Sequence, residues 1–144
     1  MSIESNKELV RRYNEGIFSG DETVFTDLLA PDCIIHGIGG PNEIREVYRS
    51  FRKGIPDLSG TIDEQIGEGD KVVTRWTMRG THSGEVPGPF GPMTPTGQPF
   101  AYTGITISRV VNNKIIEDRF EGDYFGLVQQ LGGLPTPPQA DNPS

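Results

Sequence analysis

An α+β fold is predicted by a change of hydrophobic period partway along the chain. Up to Gly54 the apolar residues recur at helical spacing; from Leu58 onward they alternate. Helices first and antiparallel strands afterwards is the pattern of helices packed on one face of a sheet. The length of 144 residues fits one domain with a single core, assigned to residues 1–133, with a flexible Pro-rich tail over 134–144.

The elements follow in order. Ser5-Asn6-Lys7-Glu8 has the form of a capping box, and Ile3, Val10, Tyr13 and Ile17 give the first helix an apolar face. Ser19-Gly20-Asp21 breaks it. Val24, Phe25, Leu28 and Leu29 predict a shorter second helix that Pro31 closes, and Cys33–His36 reads as a short strand. Pro41 is placed as the first residue of a third helix carrying Ile44, Val47, Tyr48 and Phe51, which Gly54 and Pro56 end. Leu58–Ile66 and Lys71–His82 form a hairpin across Gly67-Glu68-Gly69-Asp70. Phe100–Val111 and Lys114–Phe120 form another across Asn112-Asn113. The four strands make an antiparallel meander. Curved around the helices, such a sheet leaves a pocket at its open end.

Composition narrows the partners. A net charge of −7 with no run of Lys or Arg argues against nucleic acid and against an anionic membrane surface. The single Cys33 excludes an internal disulfide and a cysteine-rich metal site. No secretory leader and no apolar run of membrane-spanning length is visible, so the expected location is cytoplasmic.

Two local features carry the functional question. Between Ser83 and Pro99 the chain is dense in Gly and Pro, with Phe90 and Met93 as apolar teeth. So long a strand connection is either a lid over a pocket or a stiff excursion that packs on a second subunit. Further on, Asp123 stands where the last strand gives way to a short helix bearing Tyr124, Leu127, Val128 and Leu131. A carboxylate there is a helix cap or, if an apolar pocket raises its pKa, a general base.

The order and spacing of several short motifs resemble the SnoaL-like polyketide cyclases of the NTF2-like superfamily. They are Gly80-Thr81-His82-Ser83-Gly84, Pro95-Thr96-Gly97, Arg109-Val110, Lys114-Ile115-Ile116-Glu117, and Asp123 through Gln129-Gln130-Leu131-Gly132. Upstream, Phe51, Pro56-Asp57-Leu58 and Gly69-Asp70-Lys71-Val72 also fit. The resemblance implies an NTF2-like cone, in which three N-terminal helices pack on a curved antiparallel sheet around a hydrophobic pocket. It further implies a homodimer or homotetramer, and a cofactor-independent aldol cyclisation of a small hydrophobic carbonyl compound of polyketide type. On the matching positions, Asp123 would be the acid/base residue, with Arg119 and His82 beside it. The cyclases carry Gln and His on the strand where this chain has Gly104 and Thr106.

Each candidate has two readings. Arg119 either acts at the site, stabilising an enolate or pairing with Asp123 and holding its pKa down, or forms a sheet-face ion pair with Glu117. His82 either donates a proton to an alkoxide or bonds a backbone carbonyl at a strand end. The implied pocket would be lined by Tyr13, His36, Tyr48 and Phe51 from the first half of the chain. Trp76, Met78, Phe90, Tyr102, Thr106 and Phe120 would complete it. No His-x-His or His-Glu-x-x-His spacing suggests a metal. The alternatives to a cyclase or related isomerase are a non-catalytic ligand-binding or dimerising module and an epoxide hydrolase- or dehydratase-like enzyme.

Overall fold

The computed structural model describes residues 2–135, so most of the expected tail, residues 136–144, lies outside the described part. Nine elements run α1 (Ile3–Ser19), α2 (Thr23–Asp27), β1 (Leu29–Ile35), α3 (Pro41–Gly54), β2 (Ser59–Glu68), β3 (Lys71–Thr81), β4 (Pro99–Val111), β5 (Lys114–Gly122) and α4 (Tyr124–Gln130). The sheet order is β1-β5-β4-β3-β2, with α1 lying across β2 and β3 and α3 against β1. This is the expected α+β architecture. No helix among the described residues is long and apolar enough to cross a membrane.

The expected meander, β2 to β5, is antiparallel throughout; the structure adds a fifth strand, β1, parallel to β5 at the sheet edge. The short Cys33–His36 strand therefore begins earlier, at Leu29, and Pro31 lies inside it instead of closing α2. An edge position tolerates proline because no neighbour needs its missing N–H, and the register with β5 is interrupted between Leu29 and Ile34. The capping box also moves. Ser2 caps α1 and exchanges hydrogen bonds with Ser5, so the helix starts at Ile3.

Three turns behave as their residues dictate. Gly20 ends α1 at φ 80°, and Gly69 takes φ 60° in the β2–β3 turn. Asn112 and Asn113 adopt φ 52° and 60°, the paired left-handed geometry of a tight hairpin. Two contacts give Gln130 of the Gln129-Gln130 pair a structural role. The Gln130 amide donates to the Ala101 carbonyl and accepts from the Ala101 N–H, both at 2.9 Å, so its side chain extends the sheet and fastens α4 to β4.

One core cluster fills the space between the helices and the concave face of the sheet. It includes Val10, Tyr13 and Ile17 from α1, Phe25 from α2, Ile44 from α3, and Val72, Trp76 and Met78 from β3. Tyr13 meets Phe25 edge-on at 6.0 Å, Phe25 stacks on Tyr48 at 6.2 Å, and Phe51 meets Phe100 edge-on at 6.1 Å. These aromatic pairs tie α1, α2 and α3 to one another and to β4.

Candidate active site

Strand pairing decides which polar groups enter the core. On β4, Gly104, Thr106, Ser108 and Val110 are buried while the residues between them are not. On β5 a bulge resets the alternation: Arg109 pairs with Glu117 but Val110 pairs with Ile115, leaving Ile116 as an extra residue. Ile115 and Asp118 consequently both point inward, although a regular strand would put them on opposite faces. A regular β5 would put Arg119 and Glu117 in phase with buried Ile115 and turn Asp118 to solvent. The bulge reverses this. Asp118, which sequence reasoning passed over, is the buried carboxyl at 5% exposure. The consecutive Ile115-Ile116 was the available signal, since two adjacent apolar residues cannot share one face of an unbroken strand.

Asp118 is flanked by Ser108 on β4 and by Ile35 on β1, with Val72 next beyond Ser108 on β3. Burial pushes its pKa up to about 7; the Ser108 side chain opposes that rise and the Glu117 charge adds to it. Ser108 lies close enough to lower the pKa, yet neither Ser108 Oγ nor Asp118 Oδ1 meets the geometry of a hydrogen bond. Three further groups lie within electrostatic reach. The Tyr13 phenol is raised by burial and then by the Asp118 charge. The Tyr48 phenol is raised by burial, Tyr102 and Asp118. Burial, with Asp118 next, pushes the Cys33 thiol up to about 12. Asp118 thus sits among phenols in a medium where ionisation is costly.

The other candidates are placed differently. Asp123 is an exposed N-cap; its Oδ1 accepts from the Gly126 N–H at 2.9 Å. No cation pairs with it among the described residues, but its charge is felt by the half-buried Tyr102 phenol at the rim. Arg119 is exposed on the outer face, 3.7 Å from Glu117, and does not join Asp123. His36 bonds Glu117 Oε2 at 2.9 Å on the same outer side, holding that carboxyl below the usual range, with Arg119 and Arg109 adding to the effect.

His82 is fully buried, and its ring is spoken for. Nε2 donates to the Met93 carbonyl at 3.2 Å, while Nδ1 accepts from the Thr96 N–H at 3.3 Å. With its backbone bonded to Gln98 and Gly97, it pins the base of the Gly/Pro loop. That loop is a small hairpin in which Val86 and Met93 pair and are buried. Its start is bound to the Gly54 carbonyl through the Ser83 and Gly84 N–H groups, and Phe90 at its tip is 70% exposed. The loop is therefore anchored to the end of α3.

Among the expected lining residues, Tyr13, Trp76, Met78 and Thr106 are buried, Tyr48, Phe51 and Tyr102 are half-buried, and Phe120 is exposed at the rim. Trp76 lies over Gly104, donates from Nε1 to Thr106 Oγ1 at 2.9 Å, and meets Tyr102 edge-on at 5.2 Å. A side chain at position 104 would collide with the indole. The tryptophan thus fills the floor of the bowl at Gly104 and Thr106, where the resemblance led one to expect Gln and His. A cleft of about 300 Å³ opens on the helix side between α1 and α3, lined by Phe25, Tyr48, Arg49 and Arg52. Within that lining Tyr48 stacks on the core residue Phe25.

A curved sheet packed under helices, with aromatic residues and the Asp118 carboxyl buried between them, is an architecture of the NTF2-like kind. Residues 7–131 match the SnoaL-like polyketide cyclase family, and the chain belongs to it. It is 29% identical over 114 residues to nogalonic acid methyl ester cyclase of Streptomyces nogalater, covering 78% of this chain and 82% of the relative. IdmH of Streptomyces antibioticus, a proposed polyketide cyclase, superposes with a TM-score of 0.76 at 29% identity over 88% of this chain and 98% of its own. AclR of Streptomyces galilaeus, a proposed hydroxylase, gives 0.81 at 24% identity over 93% of this chain and 100% of its own, which speaks for the fold alone.

Proposed function

We propose that this chain catalyses an intramolecular aldol cyclisation, or a closely related isomerisation, of a hydrophobic polyketide-type carbonyl compound, with Asp118 as the proton-transfer group. The observation that carries this reading is the enclosure of Asp118: an interior carboxyl with its pKa raised to about 7. Removing a proton from carbon beside a carbonyl calls for a base titrating near the working pH, and an ordinary aspartate near 3.9 is too weak. In the proposed sequence Asp118 takes the α-proton and the enolate carbon attacks a second carbonyl. The resulting alkoxide then recovers a proton from the carboxyl. The steps balance without an outside oxidant, reductant or group donor.

The apolar surroundings serve two ends. They keep Asp118 basic, and they exclude water that would protonate the enolate before ring closure. Tyr48 and Tyr13 supply phenols within electrostatic reach of the developing charge. The cyclase from Streptomyces nogalater supports the substrate class.

The test is turnover of nogalonic acid methyl ester by Asp118→Asn and Asp123→Asn in parallel. Asp118→Asn is expected to lose about a hundredfold or more in kcat/KM with its fold intact. Asp123→Asn keeps the cap and is expected to retain activity. Loss of turnover in Asp123→Asn alone would return the base to the rim. Full turnover in both would exclude either aspartate as the base, and binding without turnover by the wild type would leave a ligand-binding module.

A further inference from the structure

Most buried polar side chains on the concave face are already partnered. Thr106 Oγ1 accepts from the Trp76 indole and Thr74 Oγ1 accepts from the Gln65 amide at 3.4 Å. Ser108 Oγ and Asp118 Oδ1 are not. Both are fully enclosed, and neither has a partner beyond its contact with the other among the described residues. A buried polar group left without a partner costs roughly 1–3 kcal/mol, so a pair with no partner outside itself has hydrogen-bonding capacity to offer a ligand. Asn6 Oδ1 and Arg45 Nε share this condition but belong to α1 and α3. Ser108 and Asp118 are direct cross-strand partners on one face of the sheet.

We propose that Ser108 and Asp118 form a two-point cradle for the carbonyl group of the substrate, in which the Ser108 hydroxyl donates to the oxygen that becomes the enolate. This deepens the reading of Asp118 as the base and rests on it. The chemistry follows from donor and acceptor capacity. A serine hydroxyl offers one hydrogen, and a carboxylate offers only lone pairs. A carbonyl with an acidic neighbouring C–H meets both at once: its oxygen accepts from Ser108 while its α-proton faces Asp118. As the proton leaves, charge builds on the oxygen already held, and the bond strengthens in the transition state. The hydroxyl also lies where it lowers the cost of ionising Asp118. The remaining groups whose charge couples to Asp118 are Tyr13 from α1, Cys33 from β1, Tyr48 from α3 and, from the outer face of its own strand, Glu117. Protonated thiol and phenols there add no charge at neutral pH.

The experiment pairs turnover with binding of 4-nitrophenol, whose phenolate imitates an enolate and is read by its absorbance. Ser108→Ala is expected to bind 4-nitrophenol about tenfold more weakly, as for loss of a bond to a charged group. It should lower kcat/KM tenfold or more, move the inflection of its pH profile upward, and leave the melting temperature unchanged or higher. Ser108→Cys keeps the volume with a poor donor and should show the same losses, so the inference survives any misfolding of the alanine variant. Wild-type binding and turnover in both Ser108 variants, with Asp118→Asn inactive, would overturn the cradle and leave the base assignment standing. Wild-type behaviour in all three would remove both.

Discussion

Asp118 and Asp123 share one stretch of chain and differ in almost everything that matters chemically. Asp118 faces inward after a bulge, beside Ser108 and within electrostatic reach of the Tyr13 and Tyr48 phenols. Asp123 stands at the strand end, faces solvent and caps α4 through Gly126. The same side chain is a candidate base in one setting and a helix stop in the other. The difference lies in desolvation: a carboxylate in water is stable as an anion, whereas an enclosed one gains by holding its proton.

The strongest way to break this contrast is kinetic. If it is right, Asp118→Asn loses about a hundredfold or more in kcat/KM and the wild-type profile rises with pH through about 7, as Asp118 ionises. A profile flat between pH 5 and 9 would speak against Asp118.

The next effect is on stability. The folded pKa of Asp118 is raised to about 7 against roughly 3.9 in the unfolded chain, so the folded state binds the proton more tightly. Its contribution is therefore fully present below about pH 4 and is lost as pH rises through about 7. Denaturant titrations of the wild type should show stability from this source declining across that window. Asp118→Asn should flatten the decline, and an equal slope in both proteins would refute the burial argument.

His82→Ala tests the contrast from another side. It removes a fully buried ring and leaves the Met93 carbonyl and Thr96 N–H without partners, so a loss of about 2–4 kcal/mol is expected, with the 83–98 hairpin becoming protease-sensitive. A purely catalytic histidine would leave stability and cleavage unchanged.

The smallest effects belong to the cap. Asp123→Ala should cost about 1 kcal/mol, and Asp123→Asn almost nothing, because asparagine caps as well as aspartate. Thermal melts of the two variants separate capping from charge.

Much of the fold was legible because local rules and tertiary contacts agree along most of the chain. Pro41 opens α3, Gly20 closes α1 and the Asn112-Asn113 pair turns the last hairpin, each through backbone preferences that burial does not change. The failures share a cause. Pro31 looked like a helix stop because nothing local says that the residues around it will lie at a sheet edge. Glu8 completed an attractive capping pattern with Ser5, but Ser2 lay one turn earlier and won. At Ile116 a single extra residue reversed the facing of everything after it. The carboxyl chosen from the motif as the base, Asp123, caps α4 at the surface, while the interior one went unseen.

Sequence alone determined the order of helices and strands, the turns and the family likeness, because these depend on each residue's own backbone preferences and on apolar spacing. Which aspartate is kept from water was decided only in three dimensions. That choice depends on the register between β4 and β5 and on the aromatic residues that α1 and α3 bring over the sheet, and neither is encoded near Asp118 in the chain.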